Sequence, residues 1–263
     1  MKVNKMIVAG IDAGSTTVKV TLYDGMHMES WLGLAGWNPR AEATTLLQQA
    51  VVKWGTDRAD LTYIIGTGYG RVNLPFVSKS MTEITCHAKG GFYLYPGVGT
   101  VIDIGGQDAK AIRVDKNGKV SDFIMNDKCA AGTGRFIQVM ANALGLDVAG
   151  IAQLDLLPGE EACTINSMCT VFAESEVIGL LNQGYSRQAI MAGIYQSIAS
   201  RIIAMAATIC PTSPVVFTGG VSQNVWLCTA LEHKLNMPVI VPEQAVFAGA
   251  IGAALYAWEE VIK

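Results

Sequence analysis

The chain alternates between short apolar runs and longer mixed stretches, a pattern that predicts strands and helices in turn. Two of the apolar runs, starting at Ile7 and Val98, each lead through an aspartate and a glycine into a second apolar run, so each stretch predicts a β-hairpin. Because strands and helices alternate, we expect an α/β fold. Further strands are predicted at 61–65, 214–217 and 238–241, and helices at 41–54, 82–91, 186–209, 222–235 and 247–261.

The two predicted hairpins are copies of one sequence unit. The first reads IVAGIDAGSTTVKVTL from Ile7 and the second TVIDIGGQDAKAIRVD from Thr100. A second motif also occurs twice: Thr-Gly follows directly after an apolar run at 65–71 (IGTGYGR) and again at 217–222 (FTGGVS). Two such units facing each other across a cleft suit a nucleotide whose phosphates are held from both sides. The matched pairs, at a constant offset of 91, are Asp12 and Asp103, Gly14 and Gly105, and Lys19 and Lys110.

The repeat predicts two domains. The first is expected to span residues 1–96, with the C-terminal helix at about 247–263 packing back on it, and the second to span residues 97–246. Within the second domain, a helical insertion at about 125–181 has no counterpart in the first. It contains CAAGTGRFIQVMANALGL and SMCTVFAESEVIGLL, which predict two helices that each start just after a cysteine.

The glycine-containing turns are candidates for a phosphate site. A glycine-rich turn lets backbone N–H groups approach phosphate oxygens without a Cβ in the way. Asp12 and Asp103 carry the wrong charge to touch phosphate and would instead hold Mg²⁺ or its waters. Two glycines at 219–220 are predicted to open a helix whose N-terminus suits the adenosine side or a phosphate. The expected nucleotide-binding residues are Gly14, Ser15, Thr16, Thr17, Lys19, Gly105, Gly106, Gly219 and Gly220.

Gln107 follows the second pair of glycines, and glutamines orient the attacking water in other NTPases. Asp12, Asp103 and Gln107 are therefore the catalytic candidates. Taken singly, each Asp-x-Gly is also compatible with an ordinary hairpin turn, and the sequence contains no GxxxxGK[ST] P-loop. Two copies in register, together with the third glycine motif, favour a nucleotide.

Composition narrows the function classes. Of the 263 residues, 51% are apolar and 16% are charged, which supports a substantial core and argues against disorder. A net charge of −3 gives no indication of nucleic acid as a partner, and the three histidines are scattered, so a histidine-based metal site is not expected. Neither an export signal nor a membrane span is predicted, because 189–210 contains several polar residues. We expect a cytoplasmic protein that contacts no membrane and whose six cysteines are reduced or metal-bound.

Two of the cysteines are candidates for a metal site. Cys129 (in NDKCAAGTGRF) and Cys169 (in SMCTVFAESEV) are each predicted at a helix N-terminus, which stabilises a thiolate. They make up half of the four thiolates of a 4Fe-4S cluster, and a two-fold dimer would supply the other half. Without a CxxC pair, the spacing is more typical of buried apolar cysteines, and a structural zinc shared between chains also fits. Cys163 is a further ligand candidate, whereas Cys210 and Cys228 are predicted in apolar helices as core residues.

The motifs IDAGSTT, VIDIGGQD, FTGGVS and AGAIGAA resemble the phosphate, adenosine and connecting motifs of the actin-like ATPase superfamily. This superfamily includes actin, sugar kinases and heat-shock chaperones. The resemblance implies two RNase H-like domains with ATP in the cleft between them.

A narrower resemblance rests on the cysteine motifs. NDKCAAGTGRF and CTVFAESEV, together with the ATPase motifs, resemble the activator components (ATP-dependent reductases) of 2-hydroxyacyl-CoA dehydratases, in the BadF/BadG/BcrA/BcrD-type ATPase family. The similarity covers nearly the whole chain. It implies a homodimer with one 4Fe-4S cluster at the subunit interface, ligated by Cys129 and Cys169 of each chain.

The resemblance implies an ATP-driven one-electron reductase that activates a partner iron–sulfur enzyme of the dehydratase type. A reduced ferredoxin or flavodoxin would load the cluster, and ATP binding and hydrolysis would move the two domains. The motifs FTGGVS, SMCTVF and AGAIGAA are more similar to the branch that reduces double-cubane-cluster proteins, so such a partner is an alternative. An ATPase subunit of a benzoyl-CoA reductase-like enzyme is another. A small-molecule kinase of the same fold and a nucleotide-dependent scaffold are more distant alternatives.

Overall fold

The structure is a computed structural model that describes residues 6–147, 154, 160–167 and 169–263. Residues 148–153, 155–159 and Met168, all within the insertion predicted at about 125–181, lie outside the described residues. Within the described residues, two five-stranded sheets carry the fold, and helices cover their faces.

The first sheet has the strand order β3-β2-β1-β4-β5. Its first three strands run antiparallel, while β4 is parallel to β1 and β5 is parallel to β4. The hairpin predicted at the N-terminus is therefore confirmed. The strands are β1 (Ile7–Ala13), β2 (Thr17–Tyr23), β3 (Met28–Leu34), β4 (Leu61–Thr67) and β5 (Lys79–Ser80).

The second sheet repeats this topology with the order β8-β7-β6-β9-β10. Again the first three strands are antiparallel, and the fourth and fifth are added in parallel on the other side of the first. The repeat inferred from the offset of 91 residues is thus a repeat of structure as well as of sequence. The strands are β6 (Thr100–Ile104), β7 (Ala109–Val114), β8 (Val120–Asn126), β9 (Val215–Thr218) and β10 (Val239–Ile240).

Four of the described helices begin where a side chain caps the N-terminus. The side chain of Asn38 accepts the N–H of Ala41, and the hydroxyl of Ser186 accepts the N–H of Ala189, which satisfies N–H groups that have no partner inside the helix. In the described part of the chain the helices are α1 (Pro39–Trp54), α2 (Glu83–Leu94), α3 (Gly134–Ala143), α4 (Thr170–Asn182), α5 (Arg187–Ala206), α6 (Val225–Leu235) and α7 (Ala248–Val261).

Two helices each pack on the sheet of the other half of the chain. The helix α2 follows the first sheet in sequence but packs on β6 and β7 of the second, while α7 follows the second sheet and packs on β1 and β4 of the first. The two helices cross in direct contact, because Cβ atoms on Gly90 and Gly252 would overlap the backbone of the opposite helix. This crossing joins the two halves of the molecule.

The strands β3, β5 and β8 were not predicted. β3 (MESWLGL) and β8 (VSDFIMN) lie at sheet edges, and both mix apolar and polar residues because they are only partly buried. β5 has only two residues. The expected insertion, from about residue 125, overlaps the end of β8 and contains α3 and α4.

The segment Arg187–Ile209 is long and apolar enough to meet the composition of a membrane span. Most of its buried residues, among them Ile190, Ile194 and Ile198, belong to the largest core cluster, packed with residues of β6 and β9. Packing inside the protein therefore accounts for its apolar face.

Candidate functional site

Two aspartate–lysine pairs lie at equivalent places in the two sheets. Asp12 of β1 lies opposite Lys19 of β2, and Asp103 of β6 lies opposite Lys110 of β7. The distance from Lys19 Nζ to Asp12 Oδ2 is 3.6 Å, and that from Lys110 Nζ to Asp103 Oδ2 is 3.0 Å. All four residues are buried. We call each pair, with the turn between its strands, a half-site.

The turn of each half-site is closed by the same backbone hydrogen bond. The N–H of Gly14 donates to the carbonyl of Thr17 over 3.1 Å, and the N–H of Gly105 donates to the carbonyl of Asp108 over 2.9 Å. Lys19 Nζ lies 3.8 Å from where a Cβ on Gly14 would stand, so the ammonium group lies beside the first turn.

The two turns contact each other. A Cβ on Gly106 would overlap Thr16 Oγ1 and would lie 3.2 Å from Ser15 Oγ, so this approach requires glycine at 106. Thr16 and Gln107, at the tips of their turns, are exposed. The structure thus brings the predicted residues of 14–17 next to those of 105–107.

The second half-site has a dense charge network around Lys110. Its ammonium group lies 3.0 Å from Asp103, 2.9 Å from Asp108 and 3.4 Å from Glu83. Burial alone would lower the pKa of Lys110, but the three carboxylates, Asp103 first, raise it. Burial likewise opposes ionisation of Asp103, yet electrostatic interactions with His87 and with the Lys110 ammonium group lower its pKa to about 2. Asp103 is therefore held as a carboxylate.

The other oxygen of Asp103 has two further partners. His87 Nδ1 lies 3.2 Å from Asp103 Oδ1, and Thr218 Oγ1 donates to the same oxygen over 3.1 Å. Sequence reasoning missed His87, Glu83 and Asp108 as site residues. A signal was present for two of them, because Glu83 and His87 are four residues apart and so lie on one face of α2.

The repeated Thr-Gly motif places one glycine against each aspartate. Thr67 pairs with Asp12 across β1 and β4, and a Cβ on the next residue, Gly68, would overlap Asp12 Oδ1. In the other half, a Cβ on Gly219 would lie 2.6 Å from Asp103 Oδ1. Both glycines have left-handed φ angles, +84° and +91°. Each Thr-Gly segment therefore lies against the aspartate of one half-site.

The prediction that Gly219 and Gly220 open a helix at 222 is wrong. The left-handed Gly219 turns the chain, and Ser222 donates to its carbonyl through both its N–H and its hydroxyl. The helix α6 begins only at Val225, where Asn224 accepts the N–H of Leu227 as the N-cap. The two glycines therefore lie in a turn ahead of the helix.

Cys129 and Cys169 are both exposed, which excludes the alternative that they are buried core residues. Cys169 is the N-cap residue of α4, as predicted. The prediction for Cys129 is wrong, since α3 starts five residues later at Gly134. Between them, Gly132 adopts a φ of +88° and the N–H of Thr133 donates to Ala130, which makes a turn rather than a helix.

The other cysteines differ in setting. Cys163 and Cys86 are buried, and Cys228 lies half-buried on α6. The prediction of Cys210 as a core residue in a helix is wrong. Cys210 is exposed with a φ of +50°, because the chain leaves the helical segment there in a left-handed conformation. Within the described parts of the chain, no three His, Cys, Asp or Glu side chains are grouped as a metal site.

Polar side chains hold the segments next to Cys129 and Cys169. Asn126 Nδ2 donates to the carbonyl of Cys129 over 2.9 Å. The carboxylate of Glu176 accepts the N–H groups of Asn166 and Ser167, over 2.9 Å and 2.8 Å, just ahead of Cys169. Burial raises the pKa of Glu176, but these hydrogen bonds outweigh it and lower the pKa.

The helix α3 is bonded directly to the second turn. The N–H of Gly134 donates to the carbonyl of Gly105 over 2.9 Å, and the N–H of Arg135 donates to that of Gly106 over 2.8 Å. These are the first two N–H groups of α3, which have no partner inside the helix. The turn that would face phosphate is therefore tied to the segment that carries Cys129.

Comparison with known proteins gives consistent matches over the whole chain. A family model described as the BadF/BadG/BcrA/BcrD ATPase family matches residues 9–257. The activator of lactoyl-CoA dehydratase from Anaerotignum propionicum is 44% identical over 259 residues, which cover 98% of this chain and 100% of that protein. Component A of (R)-2-hydroxyglutaryl-CoA dehydratase from Acidaminococcus fermentans has a similar structure, with a TM-score of 0.93 and 41% identity over 98% of this chain and 100% of that one.

Other solved structures extend the comparison. The activator of the 2-hydroxyisocaproyl-CoA dehydratase from Clostridium difficile, solved with bound ADPNP, matches with a TM-score of 0.89 and 38% identity over 98% of this chain and 96% of that one. A ROK family glucokinase from Streptomyces griseus matches with a TM-score of 0.59 at 14% identity over 96% and 99% of the two chains, and so shows the fold alone. The predicted fold class, two actin-like ATPase domains with a nucleotide cleft between them, is confirmed.

Proposed function

Because the chain belongs to the BadF/BadG/BcrA/BcrD ATPase family, we propose that it is an ATP-driven one-electron reductase that activates a partner iron–sulfur enzyme of the 2-hydroxyacyl-CoA dehydratase type. Similarity to the activator of lactoyl-CoA dehydratase supports the partner class, and the family description supports ATP hydrolysis. The electron-transfer step is proposed from the cysteines and from their connection to the nucleotide site.

ATP is proposed to bind between the two half-sites. The support is the contact between the turns at 14–17 and 105–108, which brings backbone N–H groups and hydroxyls from both halves close together. Lys19 would add positive charge to the phosphate site, and Gly219 and Gly220 would line it from the second half. Residues 1–96 with the C-terminal helix, and residues 97–246, are proposed to be the two domains that close on the nucleotide.

Asp12 and Asp103 are proposed to hold Mg²⁺ through its waters. Both are buried carboxylates. Burial raises the pKa of Asp103, but interactions with His87 and Lys110 outweigh burial and lower this pKa to about 2. Carboxylate oxygens are the ligands that Mg²⁺ takes in proteins, and it usually keeps several waters. The adjacent lysines already neutralise both carboxylates, which favours contact through water. Gln107, exposed at the tip of its turn, is proposed to orient the attacking water.

Cys129 and Cys169 are proposed to ligate a 4Fe-4S cluster that would serve as a one-electron carrier. Both thiols are exposed, and two ligands per chain fit this group only if a second copy supplies two more. The helix that begins after Cys169 presents Val171, Phe172 and Ile178 to solvent. Such an apolar surface beside a proposed ligand supports a homodimer whose interface covers it.

The observation that carries the proposal is the pair of hydrogen bonds from α3 to the second turn. A displacement of Gly105 and Gly106 by phosphate must act on the N-terminus of α3 and on the loop of Cys129 before it. Asn126 pairs with Ala109, the residue that directly follows the second turn, and its side chain holds the Cys129 carbonyl from a second direction. Nucleotide state and cysteine position are thereby linked by short backbone connections.

The energy required is modest. Differential stabilisation of about 5 kcal/mol would shift a one-electron couple by roughly 0.2 V, because 59 mV corresponds to a tenfold change in equilibrium constant. A reduced ferredoxin or flavodoxin is the proposed donor. The acceptor is proposed to be a dehydratase-like protein, with a double-cubane-cluster protein as the alternative that the motifs FTGGVS and AGAIGAA favour.

The proposal is tested on anaerobically purified dimer in three states: without nucleotide, with ADP, and with a non-hydrolysable ATP analogue. We expect the rate of iron loss to a chelator and the reduction potential to differ among the three states, because binding and redox state are linked reciprocally. Identical values in all three would refute ATP-gated electron transfer. A colourless protein that hydrolyses ATP would refute the iron–sulfur assignment and favour a nucleotide-dependent scaffold.

A further inference from the structure

His87 lies where the two halves of the molecule are joined. It is buried on α2, the helix that leaves the first sheet and packs on the second. The helix that returns from the second sheet, α7, carries Gly249 in its first turn and crosses α2 at this point. A side chain here is within reach of both half-sites.

One edge of the His87 ring belongs to the second half-site. Nδ1 lies 3.2 Å from Asp103 Oδ1 and 3.3 Å from Thr218 Oγ1. These contacts alone would make His87 an ordinary buried histidine with its hydrogen bond satisfied.

The other edge of the ring faces the first half-site. A Cβ on Gly249 would lie 2.8 Å from His87 Nε2 and 3.0 Å from Asp12 Oδ2. Both atoms therefore border one small space, and that space stays open because residue 249 has no side chain. Imidazole is suited to this position, since it carries two nitrogens on different edges of one rigid ring.

We propose that His87 is a positioning residue that links the two half-sites, with Nδ1 in contact with Asp103 Oδ1 and Nε2 bordering the same space as Asp12 Oδ2 beside Gly249. In this role it sets the separation of the two carboxylates in the closed state and leaves the affinity of either half for nucleotide nearly unchanged. The inference rests on the proposed function, because it concerns hydrolysis of the nucleotide bound between these half-sites.

Substitution of His87 by an amide side chain tests the two edges of the ring separately. In His87→Asn the amide nitrogen replaces Nδ1, and in His87→Gln it replaces Nε2. Each variant keeps one contact and loses the other. We expect both to lower the kcat of ATP hydrolysis by about tenfold or more, as for the loss of a hydrogen bond to a charged group. The Kd for ADP, measured by calorimetry, should change by less than about threefold.

Gly249→Ala tests the same link without altering the ring. The new methyl group would intrude between His87 Nε2 and Asp12 Oδ2, so kcat should fall in a protein that retains His87. In a His87→Ala background the same substitution should cost less, because its contact with the ring is gone and only its contact with Asp12 remains. Equal losses in the two backgrounds would overturn the proposal.

The controls are His233→Asn, an exposed histidine on α6, and Gly179→Ala, where a Cβ would meet nothing within 4 Å. Both should keep the original kcat. An unchanged kcat in His87→Asn or His87→Gln would overturn the proposal, as would parallel losses of kcat, ADP affinity and melting temperature, which would mean a purely structural role. Failure of the unsubstituted protein to bind or hydrolyse ATP would instead refute the proposed function.

Discussion

The backbone N–H of Gly134 donates to the carbonyl of Gly105 over 2.9 Å, so the first residue of α3 is bonded to the turn that closes the second half-site. Only four residues separate Cys129 from Gly134, and they form a tight turn around Gly132. The proposed cluster ligand is therefore connected to the proposed phosphate turn by a short, hydrogen-bonded stretch of chain.

Cys129 and Cys169 are expected to be required for iron binding. The protein prepared without oxygen should be brown, dimeric and contain about four irons per two chains, because four thiolates must come from two subunits. Cys129→Ser and Cys169→Ser should each abolish the colour, as measured by absorbance and iron analysis. Cys210→Ser is the matched control, since Cys210 is also exposed, and it should leave the colour intact. A full iron content in Cys169→Ser would contradict the ligand assignment.

The two aspartates should be needed for ATP turnover and not for iron binding. Asp12→Asn and Asp103→Asn keep the shape of the side chain but remove its charge, and we expect a loss of about 100-fold or more in kcat with Mg-ATP. Iron content should be unchanged, because the cysteines lie elsewhere. Asp122→Asn, an exposed aspartate on β8, should behave as the original protein. Loss of colour in the Asp103 variant would show that the two sites are not chemically separate.

Gln107 is expected to act on hydrolysis and not on binding. Gln107→Ala should reduce kcat while the Kd for ADP stays the same, since the side chain is exposed at the tip of its turn. Steady-state hydrolysis and calorimetry measure the two quantities. Hydrolysis at the original rate would remove the proposed role.

Lys110 is expected to be critical for stability. Replacing it with Met leaves Asp103, Asp108 and Glu83 without their common counter-ion in a buried site, which should cost about 3–5 kcal/mol in the free energy of unfolding. Lys79→Met, which removes an exposed 3.0 Å pair with Glu260, should cost much less. Denaturant unfolding measures the free energy of unfolding of both variants. Comparable losses in the two would contradict a stabilising role for the charge network around Lys110.

Glu176 should make stability depend on pH. Burial raises its pKa, but hydrogen bonds from Asn166 and Ser167 dominate and bring it below the ordinary value of 4.5. A pKa lowered by folding contributes stability above the unfolded-state value, and that contribution is lost as pH falls through the folded-state value. The stability advantage over Glu176→Gln should therefore be constant near pH 7 and shrink below pH 4.5. An advantage that grew on acidification would contradict the assigned direction.

Much of the fold was predictable because its signals are local. The runs at Ile7 and Thr100 are central strands, buried along their whole length, and such strands carry a strong apolar signal. The caps at Asn38 and Ser186 lie within three residues of the groups they bond. The edge strands β3 and β8 were missed because their half-exposed sequences lack that signal.

From its sequence alone, this protein could be described as a duplicated α/β unit with an Asp-Gly turn in each copy and two cysteines in an insertion. The tertiary structure decided which residues complete those turns. His87 meets Asp103, and Gly249 lies between His87 and Asp12, only because α2 and α7 exchange sheets. Contacts of this kind join residues far apart in the chain. They depend on how helices pack across two sheets, and no spacing in the sequence records that packing.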